Sequence, residues 1–241
     1  MLKNITLPDW ELVLSAAARL QRILPEAVLV GGTASAIHAG HRFSRDADHV
    51  LTDLRLRFDG VLAELESVAG WKTARIQRPV QILGSLDGIE TGVRQLIRDE
   101  PLETMVVDYH GEPLTVPTEG EILRIKGVLI LKRNATRDYL DFVALADHMG
   151  DVPMAKALLT FDKLYSQDNG ESPLQQLQIQ LANAVPYDLD DVSPELPEYK
   201  NLVPQWHDWN TVKAACAHLS TVIFDRVCTL DEDDQAQWPE S

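Results

Sequence analysis

The segment from Ala27 to Leu51 restricts the fold of this chain more than any other. An apolar run, Ala27 to Val30, stops at the pair Gly31-Gly32. A short helix-compatible stretch follows. Two carboxylates then stand at alternate positions, Asp46 and Asp48, and lead into Val50 and Leu51. Strand side chains repeat every two residues, so Asp46 and Asp48 point the same way. Like charges held side by side repel unless a cation lies between them. Two hard oxygen ligands suit Mg²⁺, which takes one or two carboxylates plus substrate phosphates. A glycine turn at a helix start offers bare backbone N–H groups to a phosphate. Each feature alone also reads as a plain turn or a solvated strand edge. Thirteen residues separate Gly32 from Asp46, room for a helical turn or two and a return to the neighbouring strand.

Further along, Thr104-Met105-Val106-Val107-Asp108-Tyr109-His110 is a β-branched, apolar run with one acid near its end. By its residues alone, Asp108 reads as a cap for the turn at Gly111. Residues 119–148 read as two helices. Thr118 and Glu121 have capping-box spacing. Lys126 and Arg133 share one face of the first helix, and Asp138 and Asp141 share a face of the second. Without the glycine and Asp-x-Asp segment, these charges read as helix-surface ion pairs.

With that segment, the chain resembles the polymerase-β-like nucleotidyltransferases, which carry a Gly pair followed by Asp-x-Asp. More narrowly, Gly31-Gly32-Thr33-Ala34 with His41-Arg42-Phe43-Ser44-Arg45-Asp46-Ala47-Asp48 is similar to the AbiEii-type nucleotidyltransferase toxins. The likeness covers roughly residues 27–149. It implies two Mg²⁺ ions on Asp46, Asp48 and a third carboxylate, for which Asp108 is the candidate and Glu103 and Glu112 the alternatives. It implies an NTP cradled by Gly31, Gly32 and Thr33, with Ser44 near a phosphate. It places Lys126, Arg137, Asp138 and Asp141 around the nucleotide, with Lys126 as the catalytic cation. The implied activity moves an NMP from an NTP to an acceptor, a tRNA 3′ end, as the toxin of a toxin–antitoxin or phage-defence pair with a cognate antitoxin. A protein or small-molecule acceptor, or a catalytically silent nucleotide-binding module, stays open.

The 241 residues allow one large or two modest domains. The expected fold is an α/β nucleotidyltransferase core, a mixed sheet with flanking helices over residues 1–117. A mainly helical part over residues 118–241 follows, with an acidic, Pro-containing loop near 186–206. Within the core, 72–77 and 81–86 read as strands, and 90–98 is ambiguous between helix and strand. Arg94 and Arg98, four apart, read as a solvated helix face or as contacts to a substrate from the site's edge. Apolar runs are too short to span a membrane, and Met1-Leu2-Lys3-Asn4 begins no secretory signal. Cys216 and Cys228 lack zinc spacing and read as reduced thiols of a cytoplasmic protein. The net charge of −15 argues against a general nucleic-acid coat. It is uneven: residues 1–150 hold 17 Lys or Arg against 21 acids, residues 151–241 only 5 against 16.

Overall fold

The computed structural model describes residues 10–228, the side chain of Cys228 excepted. The acidic run Asp231-Glu232-Asp233-Asp234, expected to be frayed, lies outside the described residues. The chain divides into two compact units. One comprises Met1–Ile37 and Phe43–Thr118, the other His38–Arg42 and Glu119–Ser241, as far as each is described.

The first unit is mixed α/β. Helix α1 (Trp10–Ile23) precedes the short strand β1 (Val28–Leu29), and α2 (Gly31–Ala39) starts at the Gly pair itself. Strand β2 (Asp46–Leu51) carries the Asp-x-Asp, and α3 (Leu54–Glu66) follows. Strands β3 (Trp71–Gln77), β4 (Gln81–Leu86) and β5 (Ile89–Gln95) complete a five-stranded sheet of order β1-β2-β5-β4-β3. Only β2 and β5 pair in parallel; the other neighbours are antiparallel. Segment 90–98, ambiguous from its residues, is mostly the central strand β5. Its Ile89, Thr91 and Val93 are buried and alternate with Glu90, Gly92 and Arg94.

One face of this sheet carries the core. Ile82, Leu86 and Val93 pack with Leu54, Phe58 and Leu62 of α3 and with Leu20 and Leu24 of the α1 end. Ala47 and Leu29 pack with Val13 and Ala17 of α1. Burying these apolar side chains supplies the main drive to fold, about 25 cal/mol per Å². The opposite face presents Asp46, Asp48, Glu90 and Arg94, none of them buried. Strands β6 (Thr104–Tyr109) and β7 (Glu112–Pro117) form a separate two-stranded sheet.

The second unit is helical: α4 (Glu119–Arg133), α5 (Thr136–Met149), α6 (Asp151–Leu158), α7 (Phe161–Leu164), α8 (Pro173–Ala182), α9 (Leu189–Val192) and α10 (Trp209–Ile223). Helices α6 and α7 are separated by a break at Thr160, whose φ of −92° and ψ of 3° leave the helical region. The break turns Phe161 against Gly127 of α4, where an added Cβ would lie 3.0 Å from the ring. Glu121 is buried and accepts from Arg124 Nη2 at 2.9 Å. Segment 186–206 holds α9 and two 3₁₀ turns. It packs down through Leu196, Leu202 and Trp206, and Val203 N–H donates to the His41 carbonyl at 2.8 Å. Trp209 meets the edge of the buried Tyr139 ring. Cys216 is a buried free thiol whose pKa burial pushes up to about 12.

Candidate functional site

The site on the first unit starts from backbone. Gly31 has a φ of +74°, a left-handed conformation that glycine adopts without steric cost. A Cβ there would stand 3.8 Å from Asp48 Cβ, so the turn lies directly against the Asp-bearing strand. Val30 N–H donates to the Asp48 carbonyl at 2.8 Å. Thr33 Oγ1 donates to the Asp46 carbonyl, so Thr33 ties the start of α2 to β2. The first N–H groups of a helix have no intrahelical acceptor, and its N-terminus favours anions. Gly31 and Gly32 stand in this position beside the carboxylates.

Asp46 and Asp48 share the open face of β2, as the alternation requires. Ser44 Oγ donates to Asp46 Oδ1 at 2.7 Å, so Ser44 orients a carboxylate in this structure. Strand β5 adds two groups. Register places Glu90 opposite Asp46, and Gly92 opposite Asp48. Arg94 Nε lies 3.8 Å from Asp48 Oδ1. Arg94 therefore belongs to this face rather than to a solvated helix. Glu90 and Arg94 were legible only once β5 was known as a strand; the alternation Glu90, Gly92, Arg94 was the available signal.

Asp108 sits elsewhere. It is near the end of β6, across from Pro113, and its Oδ1 accepts from Gly111 N–H at 3.2 Å. That is the turn-capping position. Among the described residues, no three His, Cys, Asp or Glu side chains converge on a metal position. The strand that carries Asp108 belongs to a different sheet from the strand that carries Asp46 and Asp48. Glu103 and Glu112 stand at the ends of the same hairpin. The donor set that shares one face is Asp46, Asp48 and Glu90. These three do not converge on a metal position in this structure either; hard carboxylate oxygens are the donor type taken by a divalent cation that keeps water and phosphate ligands.

The second unit brings Lys126, Asp138 and Asp141 together, but in a buried ion cluster. Lys126 Nζ lies 2.7 Å from Asp141 Oδ2 and 3.7 Å from Asp138 Oδ1. Arg42 donates twice to Asp141, from Nε at 2.7 Å and Nη2 at 2.9 Å. His41 Nε2 is 2.7 Å from Asp141 Oδ1. Arg133 grips Asp138 with two hydrogen bonds at 2.5 and 2.6 Å. Lys126, Asp138 and Asp141 are at most 2% exposed. Burial opposes charge on Asp141, but Arg42, Lys126 and His41 together hold its carboxyl well below the usual range. Burial lowers the His41 pKa, so its Nε2–H donates to the ionised Asp141. The ammonium expected to meet a triphosphate is thus committed to two carboxylates. Of the four residues expected at the nucleotide from α4 and α5, only Arg137 is exposed.

No family model matches the chain. Over 92% of its length it superposes on the crystal structure of a "putative nucleotidyltransferase from H. pylori", covering 96% of that chain, with a TM-score of 0.55 and 16% identity. The chain has a nucleotidyltransferase fold. Its sequence is 29% identical over 244 residues to the heme uptake protein MmpL11 of Mycobacterium tuberculosis, covering 90% of this chain and 23% of the relative. It is 27% identical over 223 residues to the mycolic acid-containing lipids exporter MmpL11 of Mycolicibacterium smegmatis, covering 90% and 22%. The chain spans about a quarter of the length of these curated relatives. Among the described residues, no helix is long and apolar enough to cross a membrane.

Proposed function

We propose that this chain is a divalent-metal-dependent nucleotidyltransferase that moves an NMP from an NTP to a tRNA 3′ end. The observation that carries the reading is the pair Asp46 and Asp48 on one open sheet face, beneath a left-handed glycine turn that opens a helix. In this reading Asp46, Asp48 and Glu90 hold Mg²⁺, and Ser44 sets the Asp46 carboxylate. Gly31, Gly32 and Thr33 form the phosphate turn. When bound, the metal neutralises phosphate charge and lowers the pKa of the acceptor hydroxyl. The acceptor oxygen attacks the α-phosphorus, the bond from that phosphorus to the β-phosphate bridging oxygen breaks, and pyrophosphate leaves. Glu90, across the strand from Asp46, takes the acceptor proton.

Lys126 has a positioning role here. With Asp141 it locks α4 to α5 and to the His41-Arg42 segment. The motif likeness to AbiEii-type toxins extends the proposal to a cytoplasmic toxin restrained by a cognate antitoxin. Heme uptake and lipid export describe transporters four times longer, and we do not extend them to this chain.

The test is incubation of the purified chain with each α-labelled NTP, Mg²⁺ and total tRNA, beside Asp46→Ala. Label on tRNA that vanishes with the variant is the expected result. Label on a protein band instead would replace the tRNA acceptor with a protein. No label on any macromolecule would refute the proposed transfer.

A further inference from the structure

Strand β3 contains one irregularity with chemical consequences. Lys72 pairs with Ser85 and Thr73 with Gly84, but the next partner of β4, Leu83, faces Arg75. Ala74 is the extra residue of a β-bulge. In a regular strand, positions 72 and 75 point to opposite faces; one inserted residue puts them on the same face. The register then runs on across the sheet. Ser85 pairs with Glu90 and Leu83 with Gly92, and these pair with Asp46 and Asp48. Two rows result on the open face: Asp46, Glu90, Ser85, Lys72 and Asp48, Gly92, Leu83, Arg75. The buried Ile82, Gly84 and Leu86 mark the other face.

Lys72 and Arg75 are exposed. Among the described residues of this unit, Arg19, Arg22, Arg57, Arg78 and Arg94 each stand within ion-pair reach of an acid. Lys72 and Arg75 have no such partner among the described residues. In a chain of net charge −15, two unpaired cations on the carboxylate face call for an anion from outside. The strand order decides which anion. The glycine turn follows β1, at one side of the sheet, whereas Lys72 and Arg75 lie on β3, at the other edge. Three strand spacings, about 14 Å, separate β3 from the Asp strand. The cations are therefore placed for a second anion beyond the carboxylates, on the side away from the triphosphate turn.

We propose that Lys72 and Arg75 form a track for the phosphodiester backbone of the acceptor, which makes the acceptor an RNA strand end. The inference rests on the nucleotidyl-transfer reading for the identity of the site. Exposed lysine and arginine contacts to phosphates release counterions, so each adds to affinity and to its salt dependence.

The experiment measures binding without catalysis: fluorescence anisotropy of 5′-labelled tRNA, titrated with the chain at several salt concentrations. Variants are Lys72→Ala with Arg75→Ala, the longer-chain Arg75→Gln alone, and Arg55→Ala. Arg55 is an exposed cation of α3, on the core side of the sheet. The double variant should bind tRNA roughly tenfold more weakly near 0.15 M salt, with the log–log salt slope reduced by about 1.5. Arg75→Gln should give about half that change in slope, and guards against loss of the β3 edge. NTP affinity and the Arg55→Ala curve should stay at wild type. Unchanged tRNA affinity in the double variant overturns the track. So does a parallel loss of NTP affinity, which would assign the cations to the triphosphate. A chain that binds tRNA through Lys72 and Arg75 but transfers no label refutes the transfer reading and leaves the track standing.

Discussion

Replacing Asp141 with Asn tests the buried cluster at its centre. The substitution keeps shape and removes charge. Asp141 is fully buried and accepts from His41, twice from Arg42, and from Lys126 at 2.7 Å. Arg42 and Lys126 are 4% and 2% exposed, so neither reaches bulk water. An uncompensated charge in such surroundings costs about 3–5 kcal/mol. Lys126 keeps Asp138 at 3.7 Å, so Arg42 carries most of the penalty. We expect Asp141→Asn to lower the unfolding free energy by about 4 kcal/mol. Against a total of roughly 5–15 kcal/mol for a native protein, that is a large share. Urea denaturation followed by far-UV circular dichroism reads it as a lower midpoint. Asp138→Asn should cost about half as much, because Arg133 is 38% exposed and can rehydrate. Replacing the three groups together, Asp141→Leu with Arg42→Met and Lys126→Met, should recover most of the loss, since apolar side chains of like volume substitute well for buried ion groups. An Asp141→Asn variant within about 1 kcal/mol of wild type would refute the cluster as described.

Other expectations follow from single contacts. Asp48→Asn should cut label transfer by about a thousandfold or more while the urea midpoint stays near wild type. Glu90→Gln should lower kcat by about a hundredfold, whereas Asp108→Asn should leave it within about twofold; the reverse order would return the third carboxylate to β6. His49 is fully buried, and burial pulls its pKa down to about 4. The folded state then binds fewer protons than the unfolded chain, whose histidines titrate near 6.5. Its stabilising share is complete above about pH 6.5 and falls as the pH drops toward 4, by about 3 kcal/mol in all. His49→Leu should flatten that part of the stability profile, and an unchanged slope between those pH values would contradict the burial of a neutral ring.

The local half of the site was legible because it depends on short spacing. A glycine pair, a helix's length of chain and two alternate acids fix the turn at Gly31 and the shared face of Asp46 and Asp48. The β6–β7 hairpin and the start of α5 were readable for the same reason. What the residues do not disclose is pairing between distant segments. Strands β2 and β5 pair in parallel across 37 intervening residues, and no local pattern names that partner. That Glu90 lies opposite Asp46 depends on a register that only the assembled sheet contains.

The same reasoning explains the exchange of roles between Lys126 and the cations of β3. On a helix wheel, Lys126 stands seven residues before Arg133 and looks like an open cationic face. The His41-Arg42 segment, 84 residues earlier than Lys126 in the chain, joins the helical unit and closes over the acids that Lys126 also needs. In an unbulged strand Lys72 and Arg75 would point to opposite faces. A one-residue bulge reverses that, and the sheet register extends the result to Asp46 and Asp48. Net charge does not describe this face: in a chain of −15, Lys72 and Arg75 stand exposed on the side of the sheet that carries Asp46 and Asp48. Salt dependence of tRNA binding, more than any count of charges, decides whether that local field governs recognition.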